Sequence, residues 1–492
     1  MNFKNYTNIN GVAVDSLILT FVRIITFSTN IIITMILSRF LSMEEYGTFS
    51  QGNLIISVAT SFLVLGLTDG VNYFYNKNKE LSTKENYVNT IIGMQLILGV
   101  IGALIILIFQ ENIVLYFNNP NLANIIIYIS IRPYLANSIA LFQVLYVSNG
   151  KAKIIAIRNL VISIGQILVV IGVLLFTKSI LILFVSLLVL DICQLLFFII
   201  YFNKNYFKIR PWKIKFVYIK PILQYSIPMA VYVVISNFSR EMDKLLIGNK
   251  TTVETLALYS NVSKQLPFDM IMISFSTVLI PFITKYVANN QFNKAKHLYS
   301  NYVQFGYITT WTLAAGAIIS APELIKFLYS DSYILGKDIF IVYLFVSMIR
   351  FANFGIILTA AGKTKSLLGY SIITLILNYI LNNLLFNILG IIGPAIATLL
   401  SLLIVNTIIL VNSSKIMGIK FMELLRIKEM IILVFQLISV SFLIILIKKL
   451  ILVDSINYFF RLVITYGLFI TIIFSINYRK IKILIKEMNK VM

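Results

Sequence analysis

The chain has 492 residues, of which 59% are hydrophobic and only 12% are charged, and its mean hydropathy is +0.91. A soluble globular protein carries about 25% charged residues, so this composition excludes a soluble protein and leaves no room for a soluble catalytic domain. The net charge of +22 would indicate nucleic acid as the partner of a soluble protein, but in a membrane protein the same excess comes from basic cytoplasmic loops, and no nucleic-acid partner is expected.

Apolar runs along the chain predict an all-α integral membrane protein with about fourteen transmembrane helices, because a bilayer-spanning helix needs roughly 20 apolar residues. An outer-membrane barrel is disfavoured, since ten-residue blocks of alternating polar and apolar side chains are absent. The predicted spans are residues 12–37, 48–73, 88–109, 122–148, 154–176, 180–202, 222–248, 256–284, 302–327, 334–361, 367–389, 391–411, 430–447 and 456–477.

The basic residues of the loops fall on alternate sides of these spans. With a cytoplasmic amino terminus, the inner segments carry 26 Lys and Arg residues and the opposite loops carry 7. Short cytoplasmic loops collect Lys and Arg, so this distribution predicts a multi-pass protein of the cell membrane with both termini in the cytoplasm.

Two short matches indicate an internal repeat. Residues 149–153 (NGKAK) match residues 361–365 (AGKTK) at an offset of 212, and residues 41–50 match residues 251–260 at an offset of 210. Such matches also arise by chance or from ordinary cytoplasmic lysines. If they are real, both repeats begin on the inner side, which makes them parallel repeats related by an axis along the membrane normal.

The repeat predicts two parallel six-helix lobes and a pair of additional helices. We expect an N-terminal lobe over residues 1–202 (spans 1–6), a basic cytoplasmic linker over 203–221, and a C-terminal lobe over 222–428 (spans 7–12). Residues 429–492 then form spans 13 and 14 and a basic tail.

Catalytic and metal chemistry have few candidate residues. Cys193 is the only cysteine and His297 is the only histidine, so an intrachain disulfide and a cysteine-based metal site are excluded. Zinc chemistry and triad hydrolysis normally need a histidine among other site residues, and His297 lies in a basic loop. We therefore expect no metal, no cofactor and no enzymatic activity.

Three segments carry recognisable motifs. Residues 38–74 place an acidic pair and Tyr-Gly after span one and Asp-Gly at the end of span two. Residues 225–248 end span seven with the pair Asp243-Lys244, and residues 378–401 (NYILNNLLFNILGIIGPAIATLLS) form the turn between spans eleven and twelve. In these segments the chain resembles bacterial polysaccharide-transporter flippases.

The resemblance implies the multidrug, oligosaccharidyl-lipid and polysaccharide exporter superfamily. It implies two six-helix lobes around a central cavity, alternating access, and movement of a polyprenyl-diphosphate-linked oligosaccharide from the cytoplasmic to the outer leaflet. In lipid-substrate members the two additional C-terminal helices are thought to form a groove for the lipid tail, and this chain has such a pair.

Four basic residues lie inside predicted spans without a carboxylate three or four residues away. Arg23, Arg132 and Arg350 are near the middle of their spans, and Lys264 is about eight residues into span eight. A central Arg or Lys costs about 2.5–3.5 kcal/mol against lipid, so a polar interior is expected around them. We predict that they line one cationic cavity and bind the substrate diphosphate, whose oxygens suit guanidinium groups. Pairing with a carboxylate on another helix is the alternative.

Other intramembrane charges have simpler interpretations. Arg158 and Arg461 lie within about five residues of a span end and are expected to extend to the membrane surface. The segment Arg240–Lys244 places opposite charges three residues apart, at 240 and 243 and at 241 and 244, so mutual neutralisation is expected there.

Five acidic residues are candidates for ion coupling or gating: Asp69, Asp191, Glu241, Asp243 and Asp269. A buried carboxylate can accept an arginine, carry a coupling proton or help to bind sodium. Asp69, in the Asp-Gly motif, is rather interpreted as a structural cap or gate. Prolines inside spans are candidate hinges, because a lost backbone hydrogen bond permits a kink. They are Pro133, Pro228 and Pro267.

These observations favour a flippase for lipid-linked oligosaccharide in surface polysaccharide biosynthesis. Its expected partners are the polyprenyl-diphosphate-linked glycan, membrane lipids, H⁺ or Na⁺ as coupling ion, and a polysaccharide polymerase. We expect the lipid tail to stay in the bilayer or along spans 13 and 14. The alternatives are a multidrug or cation exporter of the same superfamily and a membrane glycan polymerase or ligase.

Overall fold

The computed structural model describes the backbone of residues 9–450 and 457–491, and the side chains of residues 25–276, 278–450 and 457–488. The described backbone is nearly all helical and contains no β-strand. Its α-helices are α1 Ile9–Phe40, α2 Met43–Leu63, α3 Leu67–Lys77, α4 Leu81–Ile108, α5 Gln110–Phe117, α6 Ile126–Ser148, α7 Ala152–Phe176, α8 Ile180–Asn205, α9 Phe216–Lys250, α10 Val253–Val262, α11 Asp269–Ala288, α12 Phe292–Ile319, α13 Ala321–Leu328, α14 Lys337–Ile349, α15 Ile356–Ala360, α16 Thr364–Leu389, α17 Gly393–Ile416, α18 Phe421–Leu425, α19 Ile427–Leu450 and α20 Tyr458–Val491.

Many of these helices are long and apolar enough to cross a membrane. Among the described residues nine helical ranges meet that condition, or up to twelve if each of three bent helix pairs is one span. One of the nine, Thr364–Ile416, contains both α16 and α17, and α1 is outside the count because its side chains are described only from residue 25. The prediction of an all-α, multi-pass membrane protein is confirmed, whereas the count of fourteen spans is not.

The chain divides into two compact units, residues 1–257 and 258–492. The first unit includes α9, which packs against α2, α3 and α4. In the second unit α12 is the central helix, because it packs against α11, α14, α19 and α20. The pair α19 and α20, predicted to lie outside the repeat, is therefore attached to the second unit through α12.

The motif that closes predicted span two is a helix break with close helix packing. Gly66, at φ +62°, separates α2 from α3, which are bent by 41°. A Cβ atom on Gly66 would lie 2.2 Å from the Ser226 carbonyl oxygen of α9, and one on Gly70 would lie 2.7 Å from the Ser226 Oγ. The glycines are therefore required by the left-handed backbone and by the close approach of α9.

Two predicted spans of the second unit are interrupted. Predicted span eight is split into α10 and α11 by residues 263–268, and predicted span ten is split into α14 and α15 by residues 350–355. Pro267 lies in the first interruption, where it removes a backbone donor and disfavours helical geometry at the preceding residue. In the second interruption the Asn353 Oδ1 accepts a hydrogen bond from the Gly355 N–H at 3.1 Å, which is a local turn in place of a helical bond.

Candidate functional site

The candidate site lies within the second unit, at the two interruptions. Lys264 is in the segment between α10 and α11, and Arg350 directly follows the last residue of α14. Asp269 is the first residue of α11. The two cations predicted for the binding cavity in this half of the chain are therefore placed at breaks, where helix ends leave backbone groups without intrahelical partners.

A side-chain hydrogen bond joins α11 to α14. The Ser347 Oγ, in the last turn of α14, donates to the Asp269 Oδ2 at 3.1 Å. The Asp269 carboxylate also interacts electrostatically with Arg350. Lys264 and Arg350 are each half-buried, and each interacts with neighbouring groups.

The charges at the breaks agree with the helix dipoles. Asp269 is at the amino end of α11, where the dipole is positive, and Arg350 is at the carboxyl end of α14, where it is negative. Each side chain therefore stabilises the helix end that carries it.

A buried tyrosine of α12 connects the second interruption to α11. The Tyr302 hydroxyl accepts a hydrogen bond from the Asn353 N–H at 3.0 Å and donates one to the Met272 carbonyl oxygen of α11 at 3.3 Å. Tyr302 is fully buried, and Gly306, one turn further along α12, allows the Phe351 carbonyl to approach closely. The Asn353 N–H therefore has a partner although the helix is interrupted at this residue.

In the first unit, Arg132 has a carboxylate partner. Its Nη2 lies 3.1 Å from the Asp191 Oδ2, and its Nε donates to the same oxygen at 3.1 Å. Both side chains are 15% exposed. The ion pair connects α6 to α8. Arg132 therefore has a carboxylate partner on another helix, which was the alternative to an unpaired cation in the predicted cavity.

Arg158 extends this polar cluster. Its guanidinium donates to Gln194 and Asn159 and lies 5.0 Å from the centre of the Phe198 ring, while Gln194 donates to the Asp191 Oδ1 at 3.3 Å. The expectation that Arg158 extends to the membrane surface is therefore replaced by a role in this cluster. The physical reason is that Gln194 and Asp191 on α8 give the guanidinium polar contacts inside the unit.

The remaining predicted cation, Arg23, belongs to α1, but its side chain is outside the described residues. Asp69 lies in the first turn of α3, where its charge favours the helix amino end, and the helix cap residue Gly66 has no side chain to form a cap. The role of Asp69 as a structural cap or gate stays a prediction.

The charged segment of α9 forms a second polar region in the first unit. The Lys244 Nζ lies 2.9 Å from the Glu241 Oε2, as the spacing predicts, and the Ser57 Oγ of α2 donates to the Glu241 Oε1 at 3.2 Å. Asp243 is buried. Arg240 is exposed and donates to Asn237, one turn earlier on the same helix.

A buried carboxylate in the second unit escaped the sequence analysis. Glu323 of α13 is 5% exposed, and its Oε1 lies 2.8 Å from the Lys448 Nζ and 3.5 Å from the Arg461 Nη2. Lys448 follows predicted span 13, and Arg461 is expected at the membrane surface. Both contact Glu323, because α20 packs against α13 and both α19 and α20 pack against α12. In the sequence, the only sign of this cluster was that an acidic residue, Glu323, follows a long apolar run.

Among the described residues, no group of three or more His, Cys, Asp or Glu side chains has a geometry that could hold a metal ion.

Comparison with known proteins places this arrangement in a family. A match with probable lipid II flippase MurJ of Rickettsia prowazekii (strain Madrid E) shows 25% identity over 160 residues, which are 29% of this chain and 30% of that protein. The structure resembles lipid II flippase MurJ in an inward closed conformation, with a TM-score of 0.72 and 17% identity over 95% of this chain and 99% of the other.

A second solved structure has the same fold. An inward-facing multidrug resistance MATE family transporter of the MOP superfamily matches with a TM-score of 0.64 and 11% identity, over 80% of this chain and 94% of the other. At these identities the similarity concerns the fold. The family model described as "Polysaccharide biosynthesis protein" matches residues 36–335, which is more than half of the chain. This match confirms the resemblance that the sequence motifs indicated, and the chain belongs to the polysaccharide biosynthesis protein family.

Proposed function

We propose that the protein moves a polyprenyl-diphosphate-linked oligosaccharide from the cytoplasmic to the outer leaflet by alternating access. The observation that carries this proposal is the placement of Lys264 and Arg350 at the interruptions of two neighbouring helices. In transporters, broken helices expose backbone groups and dipole ends that contact charged ligands near the middle of the membrane. A diphosphate is the part of the substrate that such a site recognises.

The two cations have different tasks in this proposal. The guanidinium of Arg350 offers a planar pair of donors to phosphate oxygens, whereas Lys264 contributes a compact positive charge. In the structure Arg350 interacts with Asp269. The substrate diphosphate therefore competes with Asp269 for Arg350, and release of Asp269 is the event that couples binding to a change at the interruptions. A coupling ion, H⁺ or Na⁺, would act at this released carboxylate.

Arg23 and Arg132 are proposed to contact the same substrate from the first unit. The Asp191 carboxylate occupies the Nε and Nη2 edge of the Arg132 guanidinium, so the remaining N–H groups are the ones proposed to meet the phosphate while the ion pair is kept. Asp191 stays a proposal for gating in the first unit, supported by this ion pair. Asp69, Glu241 and Asp243 stay proposals of the same kind, supported by their positions in the membrane-spanning part of the chain.

The lipid tail requires a separate path. Each CH₂ transferred from apolar surroundings to water costs about 0.8 kcal/mol, so a tail of tens of carbons does not cross through water. Helices α19 and α20 carry exposed apolar side chains, such as Phe435 and Phe442, along their lengths. We propose that the tail stays in lipid or along these helices while the head group crosses.

Family membership and the relatives' names support a lipid-linked substrate. The proteins that this chain resembles include flippases named for lipid II, and the family is named for polysaccharide biosynthesis. We propose the cell membrane as the location, with cytoplasmic termini, on the distribution of loop charges. A polysaccharide polymerase that consumes the flipped lipid is the proposed partner.

Transport in liposomes tests the proposal. Purified protein is reconstituted with a polyprenyl-diphosphate oligosaccharide bearing a fluorescent sugar, and arrival in the opposite leaflet is measured with a membrane-impermeant quencher. We expect Lys264→Gln and Arg350→Gln each to slow transport about tenfold, the effect of losing one charged hydrogen bond.

Lys326→Gln is the matched control. It removes the same charge from the same unit, but Lys326 pairs with the exposed Asp331 at 3.2 Å, away from the interruptions. If the unmodified protein and the three variants at Lys264, Arg350 and Lys326 all transported the lipid at the same rate, the proposed site would be wrong. Movement of cationic dyes without movement of the lipid would instead identify a drug exporter.

A further inference from the structure

The second unit contains an apolar cavity that the transport site does not use. Its volume is about 820 Å³, and it is lined by residues of α12, α13, α14, α17 and α19. Nearly all of its lining is aliphatic or aromatic, and two lysines, Lys337 and Lys448, are among the lining residues. The size is typical of a cavity that encloses a small organic ligand.

Both lysines lie at the same end of the cavity. Lys337 is the first residue of α14 and Lys448 is in the last turn of α19, whereas Ile349 and Val434 line the opposite end of the same helices. At 1.5 Å per residue, the cavity extends about 20 Å along α19. One leaflet of the hydrocarbon core is about 15 Å deep, so the cavity is as long as one lipid chain.

The lysine end has the charge of an anion site. The Lys448 Nζ lies 2.8 Å from the Glu323 carboxylate and donates to the Ile319 carbonyl oxygen at 3.3 Å, and Glu323 also lies 3.5 Å from Arg461, so one carboxylate is shared by two cations. Among the described residues Lys337 forms no ion pair, and its side chain is half-buried. Two lysines at the mouth of an apolar cavity match a phosphate attached to a hydrocarbon chain.

We propose that this cavity is a binding site for an anionic phospholipid, with an acyl chain between α12, α14, α17 and α19 and the phosphate at Lys337 and Lys448. The distribution of loop charges places the lysine end in the outer leaflet. The bound phospholipid is not the transported lipid. It remains between α19 and the other helices of the second unit. It stabilises the attachment of α19 to α12.

Lipid-dependent thermal stability measures this binding. The full-length protein is delipidated in detergent, and its unfolding temperature is followed while dioleoyl phosphatidylglycerol or dioleoyl phosphatidylcholine is added. We expect phosphatidylglycerol to raise the unfolding temperature, with half-saturation at a concentration at least about fivefold lower than for phosphatidylcholine. Lys337→Gln should raise the half-saturating phosphatidylglycerol concentration about fivefold, the effect of about one phosphate–lysine contact.

Two variants test whether the effect of phosphatidylglycerol on the unfolding temperature depends on this cavity, rather than on the total charge of the protein or the size of a side chain. Lys449→Gln is the matched control, since Lys449 is next to Lys448 but is exposed and does not line the cavity. Ser441→Phe fills the cavity from α19 and should abolish the phosphatidylglycerol effect while the protein stays folded. Equal responses of Lys337→Gln and Lys449→Gln, or equal effects of the two phospholipids, would overturn the proposal.

The transported lipid is the other source of the same chemistry. If polyprenyl phosphate displaces radiolabelled phosphatidylglycerol from the unmodified protein at equimolar concentration, and if binding of polyprenyl phosphate itself is lost in Ser441→Phe, the cavity holds the transported lipid and the phospholipid proposal is wrong. Retention of phosphatidylglycerol under these conditions supports it. Because the readout is lipid binding, it is independent of the outcome of the transport assay.

Discussion

Arg132 and Arg350 look alike in the sequence, but the two units place them in different surroundings. Arg132 lies within the continuous helix α6 and has an ion pair with Asp191 of α8 at 3.1 Å. Arg350 lies at an interruption, and the Asp269 carboxylate that it interacts with is also bound by Ser347. The comparison shows that the depth of an arginine within a span does not decide its role. The charged partner of the arginine and the local backbone structure distinguish a structural ion pair from a ligand-binding group.

The continuous arrangement in the first unit favours a fixed ion pair. A paired charge inside a membrane protein is costly to separate, because each group alone lacks solvation. At the interruption, Arg350 interacts with a carboxylate that also accepts a hydrogen bond from Ser347. Such an arrangement allows Arg350 to exchange Asp269 for a ligand. Experiments that exchange these features between the two units test the distinction.

The largest expected effect is on the stability of the first unit. Asp191→Asn leaves the Arg132 guanidinium without its carboxylate at a position only 15% exposed, and we expect a loss of about 3 kcal/mol in the free energy of unfolding. Thermal or denaturant unfolding in detergent measures it. The double variant Arg132→Gln with Asp191→Asn should recover most of the loss, since it removes the uncompensated charge.

Asp269→Asn is the corresponding change in the second unit. Its carboxylate is shared by Ser347 and Arg350, and the amide retains a hydrogen bond to Ser347, so we expect less than half of the stability loss of Asp191→Asn. If the two single variants lost equal stability, the distinction between a fixed pair and an exchangeable one would be wrong.

A smaller effect is expected when charge is kept and only the guanidinium is replaced. Arg350→Lys should slow lipid transport about fivefold, less than the tenfold expected for Arg350→Gln, because a lysine keeps the charge but lacks the two-pronged geometry that suits a diphosphate. Arg132→Lys should change transport by less than about twofold, because a point charge still pairs with Asp191 and still attracts the phosphate. Initial rates in the liposome assay compare the two. Equal losses for both variants would contradict the distinction between the two arginines.

The smallest effect concerns the two prolines that lie in the compared regions. Pro267 is in the interruption before α11, whereas Pro133 is inside the continuous helix α6. Pro267→Ala allows residues 263–268 to become more helical, and we expect transport to fall about threefold, while Pro133→Ala leaves it unchanged. Transport rates at matched protein incorporation provide the measurement. If the transport rate fell only in Pro133→Ala, the hinge would lie at Pro133 in the first unit rather than at Pro267.

The sequence could predict much of the fold and only part of the candidate site. The apolar runs identified a multi-pass helical protein, and the 38–74 motif identified its family, because both signals are local. The interruptions were missed because residues 263–268 and 350–355 lie within long apolar runs. Pro267 and the Asn353–Gly355 turn were the available signals, since proline and Asn or Gly turns end helices.

Partners that are distant in the chain could not be predicted from the sequence alone. Asp191 is 59 residues from Arg132, and Glu323 is 125 residues from Lys448. Nothing in local spacing connects such residues, and only the packing of α6 on α8 and of α19 on α12 brings them together. The short i to i+3 pair of Glu241 and Lys244 was predictable because one helix turn is enough to form it.

The Glu323 cluster has a consequence for how the protein is made. Ribosomes synthesise chains from the amino terminus, so Glu323 enters the membrane before Lys448 and Arg461 exist. Until the last two helices are inserted, a buried carboxylate is present without either cation, and an incomplete chain carries an intrinsic mark of immaturity. A chain truncated before α19 has Glu323 without either cation, and Glu323→Gln removes that uncompensated charge.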